Sequence, residues 1–109
     1  MGSVAIPSGG GGKIIIKEDQ FTYNYAGGEQ VPTQTRTLPT GRKLIGVSSV
    51  SASNGISSPV TVTTDVINNK ITTYCPPYNW DARVYWVVKY LYIDDNHKVT
   101  KDGTSVIIS

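Results

Sequence analysis

Catalysis needs side chains that can move a proton, attack a carbon or hold a metal, and this sequence has few. His97 is the single histidine and lies among turn residues beside Asp94 and Asp95. Those three side chains could hold a metal, but the stretch lacks the glycine and distal glutamate of a calcium-binding EF-hand loop. A solvated turn is therefore the expected state of His97. Cys75 is the single cysteine, so no disulfide within the chain and no cysteine-based zinc site can form. It reads as a structural thiol in the interior, not as the nucleophile of a Cys75–His97 pair. The carboxylates adjacent in sequence, Glu18-Asp19 and Asp94-Asp95, point to opposite faces if extended, so neither makes an acid–base couple. Gly9 to Gly12 precede a strand instead of opening a helix, which removes a phosphate-binding loop. We therefore expect no enzyme, no catalytic residue, no metal and no cofactor.

The chemistry that remains is aromatic. Tyr78, Asn79, Trp80 and Asp81 follow Pro76-Pro77, so two amphipathic rings and two polar side chains share a loop stiffened at its start. Such a loop offers contact area to a ligand at small ordering cost. The other reading, in which Trp80 caps the end of the core, is the one favoured at this level.

These residues must be held by strands. Val60, Val62, Thr64 and Val66 alternate with Thr61, Thr63 and Asp65, the period of a half-buried strand. Lys13 to Lys17, Gln20 to Tyr25, Lys43 to Ala52, Lys70 to Cys75, Ala82 to Ile93, Lys98 to Lys101 and Thr104 to Ser109 complete the set. Gly27-Gly28-Glu29, Asn54-Gly55, Asn68-Asn69 and Asp102-Gly103 supply turns. Gly46, inside a strand, marks a bulge or a close backbone approach. No helical period competes. The fold class expected is all-β: an antiparallel, jelly-roll-like β-sandwich of about eight short strands. Residues 1–12 read as a flexible Gly-rich leader and residues 13–109 as a single domain.

The strand from Ala82 to Ile93 carries the most information. Nine of the ten residues from Val84 to Ile93 are apolar or aromatic, Lys89 being the exception. One sandwich core covers only one face. Trp86, Val88 and Tyr90 are assigned to it. Tyr85, Val87, Lys89 and Leu91 are left for contact with other copies, with a homotrimer expected. Composition adds exclusions. Net charge is +2, and Arg42-Lys43 is the only adjacent basic pair, so the basic stripe of a nucleic-acid binder is missing. No apolar run approaches the ~18–20 residues that cross a bilayer. The N-terminus lacks the charged and apolar regions of a secretory signal, and a lone thiol fits folding in a reducing cytosol.

Residues 41–93 resemble a recurring C-terminal tip module of bacteriophage tail-fibre proteins. The matching stretches are Gly41-Arg42-Lys43-Leu44-Ile45-Gly46-Val47, Ser51-Ala52-Ser53-Asn54, Val60 to Val66, Asn68-Asn69-Lys70 and Ala82 to Ile93. Arg42 stands where such modules commonly have tyrosine. The resemblance implies a β-sandwich homotrimer in a fibre, baseplate or head appendage. It also implies virion location after assembly in the bacterial cytoplasm, contacts with other virion proteins, and attachment to a host-surface glycan or protein. The alternative function is a carbohydrate-binding or adhesive module of a bacterial surface or secreted protein.

Overall fold

A computed structural model describes residues 4–5, 14–53, 56 and 59–109. The chain is all-β, without a helix among the described residues. Its strands are β1 (Val4–Ala5), β2 (Lys17–Tyr25), β3 (Gln34–Thr37), β4 (Arg42–Ala52), β5 (Thr61–Asp65), β6 (Lys70–Tyr74), β7 (Val84–Asp94), β8 (Val99–Asp102) and β9 (Ser105–Ile108). They pair into three sheets of three, with orders β2-β7-β4, β3-β6-β5 and β1-β9-β8. Every pairing is antiparallel except β1 with β9, which is parallel. Two residues of the expected leader, Val4 and Ala5, are thus tied to the last strand. The glycines at 9–12 and the Asn54-Gly55 turn lie outside the described residues.

β7 is the centre of the largest sheet and pairs with β2 from Val84 to Tyr92. Its even positions are core as expected: Val84, Trp86 and Val88 are fully buried, and Tyr90 nearly so. β2 faces the same way with Phe21, Tyr23 and Tyr25, because Tyr23 pairs directly with Trp86. The Tyr23 and Trp86 rings stack at 5.1 Å, and Tyr25 also stacks on Trp86 at 5.6 Å. Such cross-strand aromatic contacts contribute about 0.5–1.5 kcal/mol each beyond area burial. β2 runs unbroken from Lys17; of the separate strand expected over Lys13 to Lys17, Lys13 lies outside the described residues and residues 14–16 are not in a strand, with Ile15 and Ile16 exposed. β4 is bulged twice, between Leu44 and Gly46 and between Val47 and Ser49. The bulges let four successive residues, Leu44 to Val47, all be buried.

Two side-chain latches join the β3-β6-β5 sheet to the β2-β7-β4 sheet. Arg36 of β3 lays its guanidinium over the Tyr23 ring, 4.1 Å from the centroid, and donates to the Thr22 carbonyl at 3.2 Å. Asn69, in the hairpin turn between β5 and β6, takes the left-handed backbone at φ 57° that Asn tolerates. Its Oδ1 accepts from Leu44 N–H at 3.0 Å and its carbonyl from Leu38 N–H at 2.9 Å.

His97 corrects the expectation of a solvated turn: it is only 9% exposed. Lys98 and Ser109 exchange two backbone hydrogen bonds of 2.9 Å, which carries the β8–β9 pairing outward past the strand ends. His97 therefore falls on the same face as buried Val99, two residues on.

The core has a polar flaw. Trp86 Nε1 and Gln34 Oε1 are buried without a hydrogen-bond partner, while the buried Tyr23 and Thr73 hydroxyls face each other, and Gln34 pairs with Thr73 in register. Burial accordingly pushes the Tyr23 phenol above its ordinary range. Removing one partner of a buried pair leaves the other unsatisfied at a cost of about 1–3 kcal/mol, and valine keeps threonine's shape without its hydroxyl. Thr73→Val should therefore lower the urea unfolding free energy by about 1–3 kcal/mol, and an unchanged or raised value would show that the Tyr23 and Thr73 hydroxyls are not paired.

Candidate functional site

The loop between β6 and β7 leans on the turn between β2 and β3. Gly28 takes φ 84°, the left-handed region that favours glycine, and its N–H donates to the Trp80 carbonyl at 2.5 Å. The Tyr78 hydroxyl donates to the Glu29 carbonyl. Glu29 in turn closes its own turn, its Oε2 accepting from Ala26 N–H at 2.5 Å and its N–H donating to the Ala26 carbonyl at 3.2 Å. Asn79 folds the loop's tip, its Oδ1 accepting from Asp81 N–H at 3.1 Å and its carbonyl from Ala82 N–H at 3.0 Å. At the loop's exit Arg83 donates to Asn24 Oδ1 at 2.8 Å, across the β2–β7 pair.

This clasp decides between the two sequence readings of Trp80. The indole is 51% exposed and stacks on Tyr78 at 5.9 Å, while Tyr78 itself is half-buried against the core. Tyr78 is the ring that touches the core, so the reading of Trp80 as a core cap is not what the structure shows. Asn79 and Asp81 are exposed beside it. The four expected loop residues are thus brought together at one end of β2 and β7. What the sequence reading missed is the clasp's other half, Ala26 to Glu29. Its signal was present in Gly27-Gly28-Glu29, but a turn in sequence does not say what it packs against.

The other face of β7 is outward. Tyr85 and Lys89 are exposed, and Val87 and Leu91 are half-buried. The pairing registers show what flanks them: Glu18, Gln20, Thr22 and Asn24 on β2, and Gly46, Ser49 and Ser51 on β4. The apolar strip is therefore one strand wide between two polar or small rows. Ser48, in the second bulge, reaches over this face to donate to Glu18 Oε2 at 2.7 Å and to the Lys89 carbonyl at 3.2 Å.

Cys75 is half-buried beside Tyr25 and Tyr78. Burial pushes its thiol up, away from the thiolate that nucleophilic attack requires. Among the described residues no three His, Cys, Asp or Glu side chains gather where a metal could be held. Near the far end of β7, Arg42 of β4 donates to Asp19 Oδ2 at 2.6 Å and to Tyr90 OH at 2.9 Å, and covers the Tyr92 ring at 4.2 Å. The Arg42 hydrogen bond, with a second from Gln20 N–H, holds the Asp19 carboxyl below its ordinary range. A carboxylate depressed in the fold adds stability above its unfolded pKa and loses it as pH falls through the folded value. Stability should decline on acidification below about pH 4, and Asp19→Asn should flatten that decline in pH-dependent melts. No family model matches this chain, and the searches of curated proteins and of solved structures returned no match.

The clasp has a close-packed point at Gly27, where an added Cβ would collide with the Asp81 carbonyl. Gly27→Ala should lower unfolding stability by about 1–3 kcal/mol through overpacking. A wild-type denaturation midpoint would show that turn and loop are not in contact.

Proposed function

We propose that this chain is a non-enzymatic attachment domain of a bacteriophage virion, within a fibre, baseplate or head appendage, that binds a host-surface glycan or protein. The observation that carries the binding role is the half-exposed Trp80 ring, stacked on Tyr78 in a loop tied to the 26–29 turn through the Trp80 carbonyl and the Tyr78 hydroxyl. A ring already held in place loses little freedom on binding. Its apolar face suits the carbon–hydrogen face of a sugar, while exposed Asn79 and Asp81 suit hydroxyls or amides. The virion setting rests on the resemblance of residues 41–93 to tail-fibre tip modules.

Assembly as a homotrimer belongs to the same reading. We read the two latched sheets as the layers of a sandwich, with the outward column of β7 turned toward the other copies. A column one strand wide suits a threefold axis, where three ridges meet and each presents only its crest. Glu18, opposite Leu91 in register, is placed to offset the Lys89 charges that such an axis gathers. The alternative reading, a carbohydrate-binding or adhesive module of a bacterial surface protein, would use the same platform as a monomer.

Two variants separate the parts. Trp80→Ala should abolish adsorption of labelled protein to host cells with mass in solution unchanged. Val87→Asp should dissociate the trimer, because burying an unpaired charge costs several kcal/mol. Unchanged adsorption of Trp80→Ala would overturn the platform, and a wild type that stays monomeric at high concentration in light scattering would overturn the trimer.

A further inference from the structure

β4 is the outermost strand of one sheet and β5 the outermost strand of another. A cleft of about 630 Å³ separates them, lined by Val47, Ser48, Ser49 and Val50 of β4 and by Val60 and Val62 to Thr64 on the β5 side. As outermost strands, β4 and β5 each leave one edge without a strand partner among the described residues, and along such an edge backbone N–H and C=O groups point out of the sheet.

The geometry of the rest of the molecule explains why this gap stays open. On the opposite side Arg36 ties β3 to β2 through the Thr22 carbonyl. At the near end of β4, Asn69 occupies the Leu44 N–H. Beyond that latch, at the second bulge, the Ser48 hydroxyl is engaged by Glu18 and the Lys89 carbonyl of its own sheet. The β8–β9 hairpin closes one side of the cleft with Lys101 and Thr104. Val47 and Val60, both buried, give it an apolar floor, and among the described residues Lys101 is the one charged residue lining it.

We propose that this cleft is an acceptor site for one extended polypeptide segment of a partner protein. The segment pairs with β4 on one side and β5 on the other, converting two three-stranded sheets into one continuous sheet of seven strands. Backbone pairing on both sides supplies the affinity, and alternate side chains supply the selection. Side chains facing the floor should be small and apolar, to meet Val47, Val60 and Val62. A carboxylate should face Lys101, because the lining holds a cation and no acid. A strand of about four to six residues is of ordinary length and suits the run from Val47 to Val50.

The test uses the full chain and a synthetic peptide, acetyl-Thr-Val-Thr-Val-Thr-Asp-amide, followed by amide chemical shifts. Saturable shifts should appear in both runs, 47–50 and 62–64. A peptide N-methylated at alternate amides keeps its side chains but loses its hydrogen bonds, and should bind at least about ten-fold more weakly. In Lys101→Glu the preference for Asp over Lys at the peptide's end should reverse, by about two- to five-fold for an exposed pair. Three results would overturn the proposal: no saturable shift at millimolar peptide, shifts along one edge only, or equal binding of the N-methylated form. Self-association of the chain through the same amides without peptide would assign the edges to a second copy, and would overturn it too.

Discussion

Everything else in this fold is arranged around a strand that must be paired on both sides and buried on one. β7 carries Val84, Trp86, Val88 and Tyr90 on a single face, all essentially inaccessible to water. An 11-residue strand of this kind is stable only if both of its backbone edges and that face are covered. β2 and β4 take the edges. Tyr23, stacked on Trp86, takes part of the face. The β3-β6-β5 sheet is then drawn in through Arg36 over Tyr23 and Asn69 under Leu44. The same pairing sets where β2 ends and β7 begins, which is where the aromatic loop and the glycine turn meet. Position of the candidate site thus follows from the core, without a dedicated scaffold.

Several of these features were legible in the sequence because they are local. The two-residue period assigns the inner face of β7 correctly, Gly46 marks one of the two bulges of β4, and Asn69 adopts the left-handed turn that its residue type allows. The loop residues Tyr78 to Asp81 were identifiable from composition. What was not legible depends on pairing between distant segments. The outward face of β7 reads as broadly apolar when one strand is counted by itself. The registers show Gln20 and Ser49 beside Lys89, and Thr22 and Ser51 beside Val87. His97 reads as a solvated turn residue until the Lys98–Ser109 pairing is seen to carry it into the interior. The contact of Tyr78 with Glu29 spans 49 residues of chain, and no local pattern encodes it.

The polar groups divide into two kinds with opposite physical consequences. At the surface, Arg42 with Asp19 and Asp65 with Asn68 are well matched, and both carboxyls are held below the ordinary aspartate range. In the interior, the Tyr23 and Thr73 hydroxyls have only each other, and Trp86 Nε1 is buried without a hydrogen-bond partner. A core that accepts this cost gains its cohesion from ring stacking and area, not from hydrogen bonds. That leaves backbone hydrogen bonds as the determinant of where the molecule is rigid. They are dense along β7 and at the clasp.

The account depends on the aromatic loop being fixed before any ligand arrives, and the bond from Gly28 N–H to the Trp80 carbonyl is the most direct report of that. Hydrogen exchange of the Gly28 amide in the free protein measures it. A pre-organised platform predicts exchange markedly slower than that of an unstructured glycine amide, with the protection lost in Gly27→Ala. Exchange at the unprotected rate would mean that the loop and the turn are not held together, and would contradict a rigid aromatic binding surface.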